Sequence, residues 1–359
     1  MMAQKQPDMP SVVFVSCSRK GKSYYQDASA RYRCLFPAEA LSSLGWRADV
    51  VHISQTLSLR LRDYQIMVIH RPTSSLQLRH LLWRAKREGL AVMADIDDLL
   101  FCPEAVESLP AVCNGTMSRL AALKRIGSYH DALSRFSHLS FSTQALVREA
   151  SHVFSADLNW VPNTVPPRWY QPWPPLPLPL SQQRIMRYLP GSGNHDHDFA
   201  LINEVLSQVM LESPGLKLEV FGPIRPNFGS LPKNRVSFHK AVPYEALPMI
   251  MRNSWVTLAP LVKNRFNQCK SGLKFWESAL LGVPVIATPM EDITRFNCAG
   301  LKLATSPDEW YRALHAYSVD SDWQTAQTEG FNSALDQATS YTGGPVWQSL
   351  LLRVLHETQ

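Results

Sequence analysis

Short apolar runs alternate with amphipathic stretches through the first half of the chain. Runs with the length and β-branched content of buried strands lie at 11–16, 48–53, 64–70 and 90–96. Residues 32–44 and 75–89 instead space their apolar side chains as helices do, and Gly45 stands where a helix C-terminus favours glycine. Alternating strands and helices predict a parallel, doubly wound sheet.

The same alternation restarts in the second half. Strand-like runs lie at 184–190, 216–222, 236–239, 255–261 and 284–289. Helices are predicted at 199–211, near 244–253, at 271–282 and at 306–317. Because 359 residues exceed one ordinary core, we predict an α/β fold with two doubly wound Rossmann-like domains facing each other across a cleft.

A proline-rich stretch separates the two halves. Residues 162–179 contain eight prolines, and such a segment is too stiff and too poor in backbone donors for the inside of a sheet. We therefore predict an N-terminal domain over 1–165, a linker over 166–182 and a C-terminal domain over 183–340. Residues 341–359 are predicted to form a last helix that packs back on the N-terminal domain.

Composition narrows the classes of function. No run of 18 or more apolar residues occurs and the N-terminus is polar, so we expect a cytoplasmic protein without a membrane span or signal peptide. Six scattered cysteines without CxxC spacing favour free thiols. Residues 1–165 hold 19 Lys and Arg against 14 Asp and Glu but no compact basic run with interleaved aromatics, so nucleic-acid binding is not expected.

Residues 267–289, NQCKSGLKFWESALLGVPVIATP, contain the strongest candidate site. Lys270, Lys274 and Glu277 are spaced i, i+4 and i+7, and so project from one face of the predicted helix. Two ammonium groups beside a helix that opens at Ser271 suit a diphosphate, and the carboxylate one turn later suits ribose hydroxyls. Taken alone, the spacing fits a solvated face of Lys–Glu ion pairs equally well.

A loop of small and polar residues, GSGNHDHD at 191–198, follows the first strand of the second half. Small residues let the backbone approach a phosphate closely, so we predict contacts with a phosphate-bearing ligand from Gly191, Ser192, Asn194 and His195. The histidines and aspartates of this loop also suggest a metal. One short loop offers no convincing coordination set, so capping of the next helix by Asp196 or Asp198 is the favoured interpretation.

Charged side chains end two predicted strands of the first half. Asp95 and Asp97 close the strand in ADIDDLLF at 94–101, where Asp98 suits a helix or turn cap equally well. Because carboxyl ends of parallel strands meet at one edge, we predict catalytic carboxylates at Asp95 and Asp97. Substrate contacts are expected from the strand end before them and from the first helix, at His70, Arg71, Arg31 and Arg33.

Several segments resemble one enzyme family. FWESALLGVPVIATP is similar to the signature E-A-x-A-x-G-x-P-V-I-A of retaining GT-B glycosyltransferases, and WVPNTV resembles the V-P-N-G-V that closes their N-terminal domain. The likeness extends, in the family's order, to 14–51, 94–101, 187–202 and 242–261. It points particularly to bacterial enzymes that build lipopolysaccharide, capsule or other surface polysaccharide.

The resemblance implies a division of labour between the domains. The C-terminal domain would bind a nucleoside-diphosphate sugar with Glu277 on the ribose, and the N-terminal domain would bind a glycan or lipid-linked acceptor. It also implies retention of anomeric configuration, no cofactor besides the donor substrate and no catalytic metal. Lys270 and Lys274 are our candidates for neutralising the leaving diphosphate, in place of the differently placed basic residues of better-known relatives. Many members carry another glutamate eight residues before the position of Glu277, and this chain has Cys269 there.

Two other functions and one surface interaction stay open. A sugar-nucleotide epimerase can share this architecture, and Cys269 is compatible with a degenerate member that only binds a nucleotide sugar or glycan. The stretch Leu76 to Arg87 alternates apolar and basic residues. It fits a sheet-covering helix with a solvated outer face, or a peripheral contact with an anionic inner membrane surface.

Overall fold

The computed structural model describes residues 9–170, 184–191, 195–224 and 231–358. The chain divides into two compact units, which we call unit 1 (Met1–Pro166 and Ala338–Gln359) and unit 2 (Pro167–Gln337). Each unit is built on its own six-stranded sheet, in which every described strand pair is parallel. The predicted α/β class with doubly wound sheets is confirmed.

The sheet of unit 1 has the order β2-β1-β3-β4-β5-β6. Its strands are β1 (Ser11–Ser16), β2 (Arg47–His52), β3 (Ile66–His70), β4 (Ala91–Ile96), β5 (His138–Phe141) and β6 (Asp157–Trp160). Its first helices are α1 (Ala28–Ala30), α2 (Phe36–Ser43), α3 (Leu76–Arg87), α4 (Pro110–Cys113), α5 (Arg119–Leu133) and α6 (Gln144–Ser151). A π-helical turn, Arg31–Leu35, joins α1 to α2 without a break.

The strand order of unit 1 reverses direction at β1. Strand β2 lies on one side of β1 and β3 on the other. In open α/β sheets, ligands bind at the carboxyl ends of the strands beside such a reversal. The register Ser16↔His70↔Asp95 brings the ends of β1, β3 and β4 level with one another, so side chains that follow these strands can meet at one edge.

Unit 2 has the strand order β12-β11-β10-β7-β8-β9. Its strands are β7 (Arg184–Tyr188), β8 (Leu216–Phe221), β9 (Val236–His239), β10 (Val256–Ala259), β11 (Val285–Ala287) and β12 (Leu301–Leu303). Its helices are α7 (Pro167–Tyr170), α8 (Asp196–Ala200), α9 (Asn203–Glu212), α10 (Leu247–Met251), α11 (Arg265–Gln268), α12 (Leu273–Ala279), α13 (Glu291–Thr294), α14 (Pro307–Ala316) and α15 (Asp320–Gln337). Here the order reverses between β7 and β10.

The last helix, α16 (Ser340–Thr358), belongs to unit 1. Its Trp347 packs edge-on against Phe14 of β1, with ring centroids 5.5 Å apart. Leu351 and Val354 are fully buried in the same core. A Cβ on Gly343 would lie 2.5 Å from Thr164, so this close approach requires glycine at the start of the helix.

The elements differ from the sequence predictions in several places. The helix predicted at 199–211 is two helices, α8 and α9, and the first residues of the predicted linker form α7. The rest of that linker, 171–183, lies outside the described residues. Strands β5, β6 and β12 were not predicted, nor, among the described helices of eight or more residues, were α5, α6 and α15. Among the described helices, none combines the length and apolar content needed to cross a membrane.

Candidate functional site

A buried ion pair anchors the candidate site of unit 1. The guanidinium of Arg33 and the carboxylate of Asp95 are both fully buried, and Arg33 donates to Asp95 from Nε at 2.9 Å and from its terminal nitrogen at 2.5 Å. Ser140 of β5 donates to Asp95 at 2.6 Å. Burial raises the pKa of Asp95, but the charge of Arg33 outweighs it, so that pKa is lowered overall. Asp95 therefore stays ionised.

The other guanidinium nitrogen of Arg33 ties this pair to the end of β6. It donates to the carbonyl of Val161 at 2.6 Å and to Oδ1 of Asn163 at 3.0 Å. Asn163 is the asparagine of the WVPNTV segment. Arg33 reaches these partners from the π-helical turn, and such turns occur frequently at functional sites.

His70 connects the buried pair to more exposed groups. Its Nδ1 lies 3.0 Å from Asp95 Oδ2, and its Nε2 lies 2.8 Å from the hydroxyl of Ser29. Ser29 in turn donates to Asp97, whose two oxygens lie 2.6 and 2.7 Å from the serine Oγ. The side chain of Asp97 is 12% exposed, whereas His70 is 1% exposed. Solvent thus reaches the network from the side of Asp97.

Arg71 has an unusual backbone conformation at the end of β3. Its φ of 52° makes it the one non-glycine with positive φ in the described ranges, and this conformation costs an arginine roughly 1–2 kcal/mol. Its Nε donates to Asp97 at 2.6 Å, and its terminal nitrogen pairs with Asp98. Strained residues that persist in this way concentrate at ligand-binding sites.

The structure brings together five of the six residues predicted on this side. Arg33, His70, Arg71, Asp95 and Asp97 form one network, whereas Arg31 donates to the carbonyl of Tyr25 at 3.4 Å. The predicted direct contacts of Arg33 and Asp95 with a substrate need revision, because both side chains are fully buried and hydrogen-bonded to other protein groups. Ser29, Ser140 and Asn163 were not singled out from the sequence.

In unit 2, the loop after β7 lies beside the strand-order reversal. Gly191 is exposed, and Ser192 and Asn194 lie outside the described residues. His195 Nδ1 is 2.7 Å from Asp198 Oδ2, and the other oxygen of Asp198 accepts from the backbone N–H of Val262 at 2.7 Å. Asp198 thus links the loop after β7 to the loop after β10.

Gly222 packs closely against the loop after β7. A Cβ on Gly222, at the end of β8, would lie 2.5 Å from the carbonyl oxygen of Pro190 and 2.8 Å from its ring. Only glycine admits this approach of the two strand ends. The position of the loop after β7 therefore depends on this residue.

The three residues predicted at 270–277 differ in their exposure. Glu277 is buried, at 4% exposure, while the side chain of Lys274 is 44% exposed, with its Nζ 3.9 Å from Glu277 Oε2. Lys270 is half-buried and lies over the ring of Phe266, 5.6 Å from its centroid. Because Glu277 is buried, the alternative of a solvated face of Lys–Glu ion pairs does not hold for this residue. Trp169 donates to the backbone carbonyl of Glu277 at 2.8 Å and holds this turn.

The start of α12 is already occupied by a protein carboxylate. The backbone N–H of Gly272 donates to Asp292 Oδ2 at 2.7 Å, and Arg295 donates to the other oxygen at 3.1 Å. Burial raises the pKa of Asp292 despite these donors. The predicted helix N-terminus with free N–H groups is therefore wrong for Gly272. Ser271 is half-buried, and Cys269, where the family signature has glutamate, is buried at 3% exposure.

No set of three or more His, Cys, Asp or Glu in the described part of the chain has the arrangement of a metal site. The predicted capping of the next helix by Asp196 or Asp198 is wrong, because α8 and α9 have no side-chain cap and Asp198 lies within α8, where it pairs with His195 and accepts from the backbone N–H of Val262. Around α12, Lys270 and Lys274 carry the predicted cations that can bind an anion.

Comparison by sequence gives no match, either to known protein families or to curated proteins. Solved structures do match. Anabaena HepE (Alr3699), crystallised with UDP-glucose, has a TM-score of 0.64 at 12% identity, covering 96% of this chain and 99% of that one. A glycosyltransferase from Rickettsia africae has a TM-score of 0.63 at 9% identity, covering 98% and 99%. WaaG, a glycosyltransferase involved in lipopolysaccharide biosynthesis, has a TM-score of 0.58 at 13% identity, covering 94% and 99%.

These matches establish the fold over nearly the whole chain. Together with the two parallel six-stranded sheets, they show that this chain has the Rossmann-like, two-domain GT-B fold of solved glycosyltransferases. The fold-level resemblance predicted from the sequence is confirmed.

Proposed function

We propose that the protein is a glycosyltransferase that moves a sugar from a nucleoside-diphosphate sugar to a saccharide or lipid-linked glycan acceptor, in the synthesis of a surface polysaccharide. The observation that carries the proposal is the buried Glu277 beside Lys274, on the helix that follows the strand-order reversal of unit 2. A buried carboxylate with a cation at its edge is suited to ribose hydroxyls and an adjoining phosphate. The shared fold with WaaG and with the UDP-glucose-bound HepE supports the same assignment.

The donor would be held entirely by unit 2. Glu277 accepts hydrogen bonds from the ribose, and Lys270 and Lys274 bind the diphosphate. Gly191 and His195 line the loop after β7, with Ser192, Asn194 and Ser271 as further donor contacts. Because Asp292 takes the N–H of Gly272, that donor does not serve the diphosphate, and the lysine side chains supply the formal positive charge.

The reaction would proceed with retention and without a metal. The acceptor oxygen forms a bond to the anomeric carbon on the face from which the diphosphate departs, the bond from that carbon to phosphate oxygen breaks, and the acceptor proton passes to the leaving phosphate. The two lysines stabilise the charge that grows on the leaving group, which is the part a metal ion plays in other transferases.

Product analysis tests the proposal. The purified protein is incubated with UDP-, GDP- and dTDP-sugars, with and without a panel of octyl glycosides, in the presence of EDTA. We expect a glycosylated acceptor from one donor class and slow donor hydrolysis without acceptor. An isomerised sugar nucleotide formed without acceptor would establish an epimerase instead, and tight donor binding without any turnover would establish a binding protein.

We further propose that the protein works in the cytoplasm and touches an anionic inner membrane surface through α3. All six cysteines are free thiols, which suits a reducing compartment.

The inner face of α3 buries Leu78, Leu81 and Ala85. Its outer face leaves Leu76 79% and Trp83 53% exposed, among the exposed cations Arg79, Lys86 and Arg87. Apolar side chains amid cations are what anionic lipid surfaces attract.

A further inference from the structure

The network in unit 1 is a chain of hydrogen bonds that runs from the protein interior towards solvent. Asp95 holds His70 at 3.0 Å, His70 holds the Ser29 hydroxyl at 2.8 Å, and Ser29 donates to Asp97 at 2.6 Å. Asp95 and His70 are buried, whereas Ser29 and Asp97 are partly exposed. A ligand can therefore touch the Ser29–Asp97 end of the chain but not its buried end.

The position of this end is that of a ligand site. Ser29 follows β1, His70 ends β3, and the strand order reverses between those two strands. Asp97 is fixed on its other side by Arg71, the residue with φ of 52°. The fold holds Arg71 in a strained conformation that places its guanidinium against the carboxylate, as expected where geometry serves binding.

We propose that Ser29 and Asp97 form the subsite for the acceptor hydroxyl, with His70 and Asp95 as positioning residues behind them. Asp97 accepts a hydrogen bond from the hydroxyl that attacks, and Ser29 fixes the carboxylate and contacts a neighbouring sugar oxygen. The ligand class is a saccharide with at least two adjacent hydroxyls. This assignment rests on the proposed function.

Asp97 would orient the hydroxyl rather than deprotonate it. Burial raises the pKa of Asp97, but the charges of Arg71 and His70 lower it, and its pKa is lowered overall. A carboxylate of lowered pKa is a weak base, so the proton of the acceptor still passes to the leaving phosphate. The same carboxylate argues against Ser29 as an acyl-transfer nucleophile, because the oxyanion of the tetrahedral intermediate on that serine would form beside a negative charge.

The test compares Ser29→Ala and Ser29→Thr with the wild type, using the octyl glycoside that accepts sugar best. Ser43→Ala is the matched control, since Ser43 is exposed on the neighbouring helix α2 and only donates to the carbonyl of Ala40. We expect Ser29→Ala to raise the KM for the glycoside about tenfold or more, as loss of a hydrogen bond to a charged group predicts. The Kd for donor and the rate of donor hydrolysis should not change, and Ser29→Thr should restore most of the loss.

The outcomes separate the subsite from the proposed function. A wild type that transfers sugar, with a folded Ser29→Ala variant of unchanged acceptor KM or altered donor Kd, would overturn the subsite alone. Absence of both donor binding and donor turnover in the wild type would overturn the proposed function and the subsite with it. Labelling of Ser29 by a fluorophosphonate probe would also overturn the subsite, by identifying the serine as a nucleophile.

Discussion

The buried pair of Arg33 and Asp95 gives the sharpest test of how unit 1 is held together. Replacing Arg33 with Met removes both donors to Asp95 and leaves a fully buried carboxylate with only His70 and Ser140 as partners. Breaking a buried pair in this way typically costs about 3–5 kcal/mol. The carbonyl of Val161 and the side chain of Asn163 lose their donor as well, so we expect a loss at the upper end of that range.

The pH dependence of this loss follows from the charge of Asp95. In the wild type its folded pKa is lowered, so it adds stability above its unfolded pKa of about 3.9, and that stability is lost as the pH falls towards the folded value. Without Arg33, burial is opposed only by the weaker effects of His70 and Ser140, so we expect the pKa of Asp95 to rise. The Arg33→Met variant should then recover part of its loss between pH 7 and pH 5, where protonation removes the buried charge.

Urea unfolding monitored by tryptophan fluorescence measures the loss, because Trp347 lies under the guanidinium of Arg33, with 5.4 Å from Cζ to the ring centroid. The double variant Arg33→Met/Asp95→Asn should lose less than the sum of the two single variants, by about 2 kcal/mol or more, because neither partner is left charged and alone. A loss below about 1 kcal/mol for Arg33→Met, or one that grows on acidification to pH 5, would refute this account of the pair.

Three further predictions concern the remaining surfaces. Lys274→Ala should reduce turnover by about 10²–10³ with an unchanged melting temperature, whereas Lys263→Ala, at an exposed lysine between β10 and α11, should leave turnover unchanged; equal turnover in both variants would contradict the role of Lys274. Gly222→Ala should displace Pro190, weaken donor binding and cost about 1–3 kcal/mol of stability in thermal unfolding, and unaltered donor affinity would contradict the packing. Trp83→Ser should abolish sedimentation with anionic vesicles at low salt; a wild type that sediments no better with anionic than with neutral vesicles would exclude the membrane contact.

Much of the fold could be predicted because its central strands are mostly apolar. Strands β1 and β3 bury every residue, as strands covered on both faces do, and such runs are visible in a sequence. Strands β5 and β6 were missed for a different reason. They have four residues each and contain Ser140 and Asn159, whose polar side chains hide the strand pattern. Ser140 donates to Asp95 of the candidate site, and this polar residue interrupts the apolar pattern by which β5 could have been recognised.

The position of the candidate site at the strand ends could be predicted from the sequence, but the contacts and burial of its side chains could not. Strand ends indicated where charged side chains would gather, and Arg33, His70, Arg71, Asp95 and Asp97 do gather there. Which of them is buried depends on the π-helical turn, which directs Arg33 into the protein and leaves Arg31 nearer the surface. No pattern in the sequence predicts that turn.

Hydrogen bonds between segments that are distant in the chain could not be predicted from the sequence either. Asp292 reaches the start of α12 from twenty residues further along the chain and accepts from the N–H of Gly272, one of the backbone donors on which the predicted diphosphate site partly depended. The only sequence signal at Ser29 is its place two residues after Asp27, in a stretch typical of a helix start.

The central claim is that unit 2 binds a nucleotide through Glu277, and calorimetric titration tests it most directly. UDP, GDP and dTDP are titrated into the wild type and into Glu277→Gln. We predict that one nucleotide binds the wild type and that the variant binds it about tenfold or more weakly, because hydrogen bonds to a charged group contribute about 1.5–3 kcal/mol. Equal affinity of variant and wild type, or no binding of any of the three, would contradict the claim.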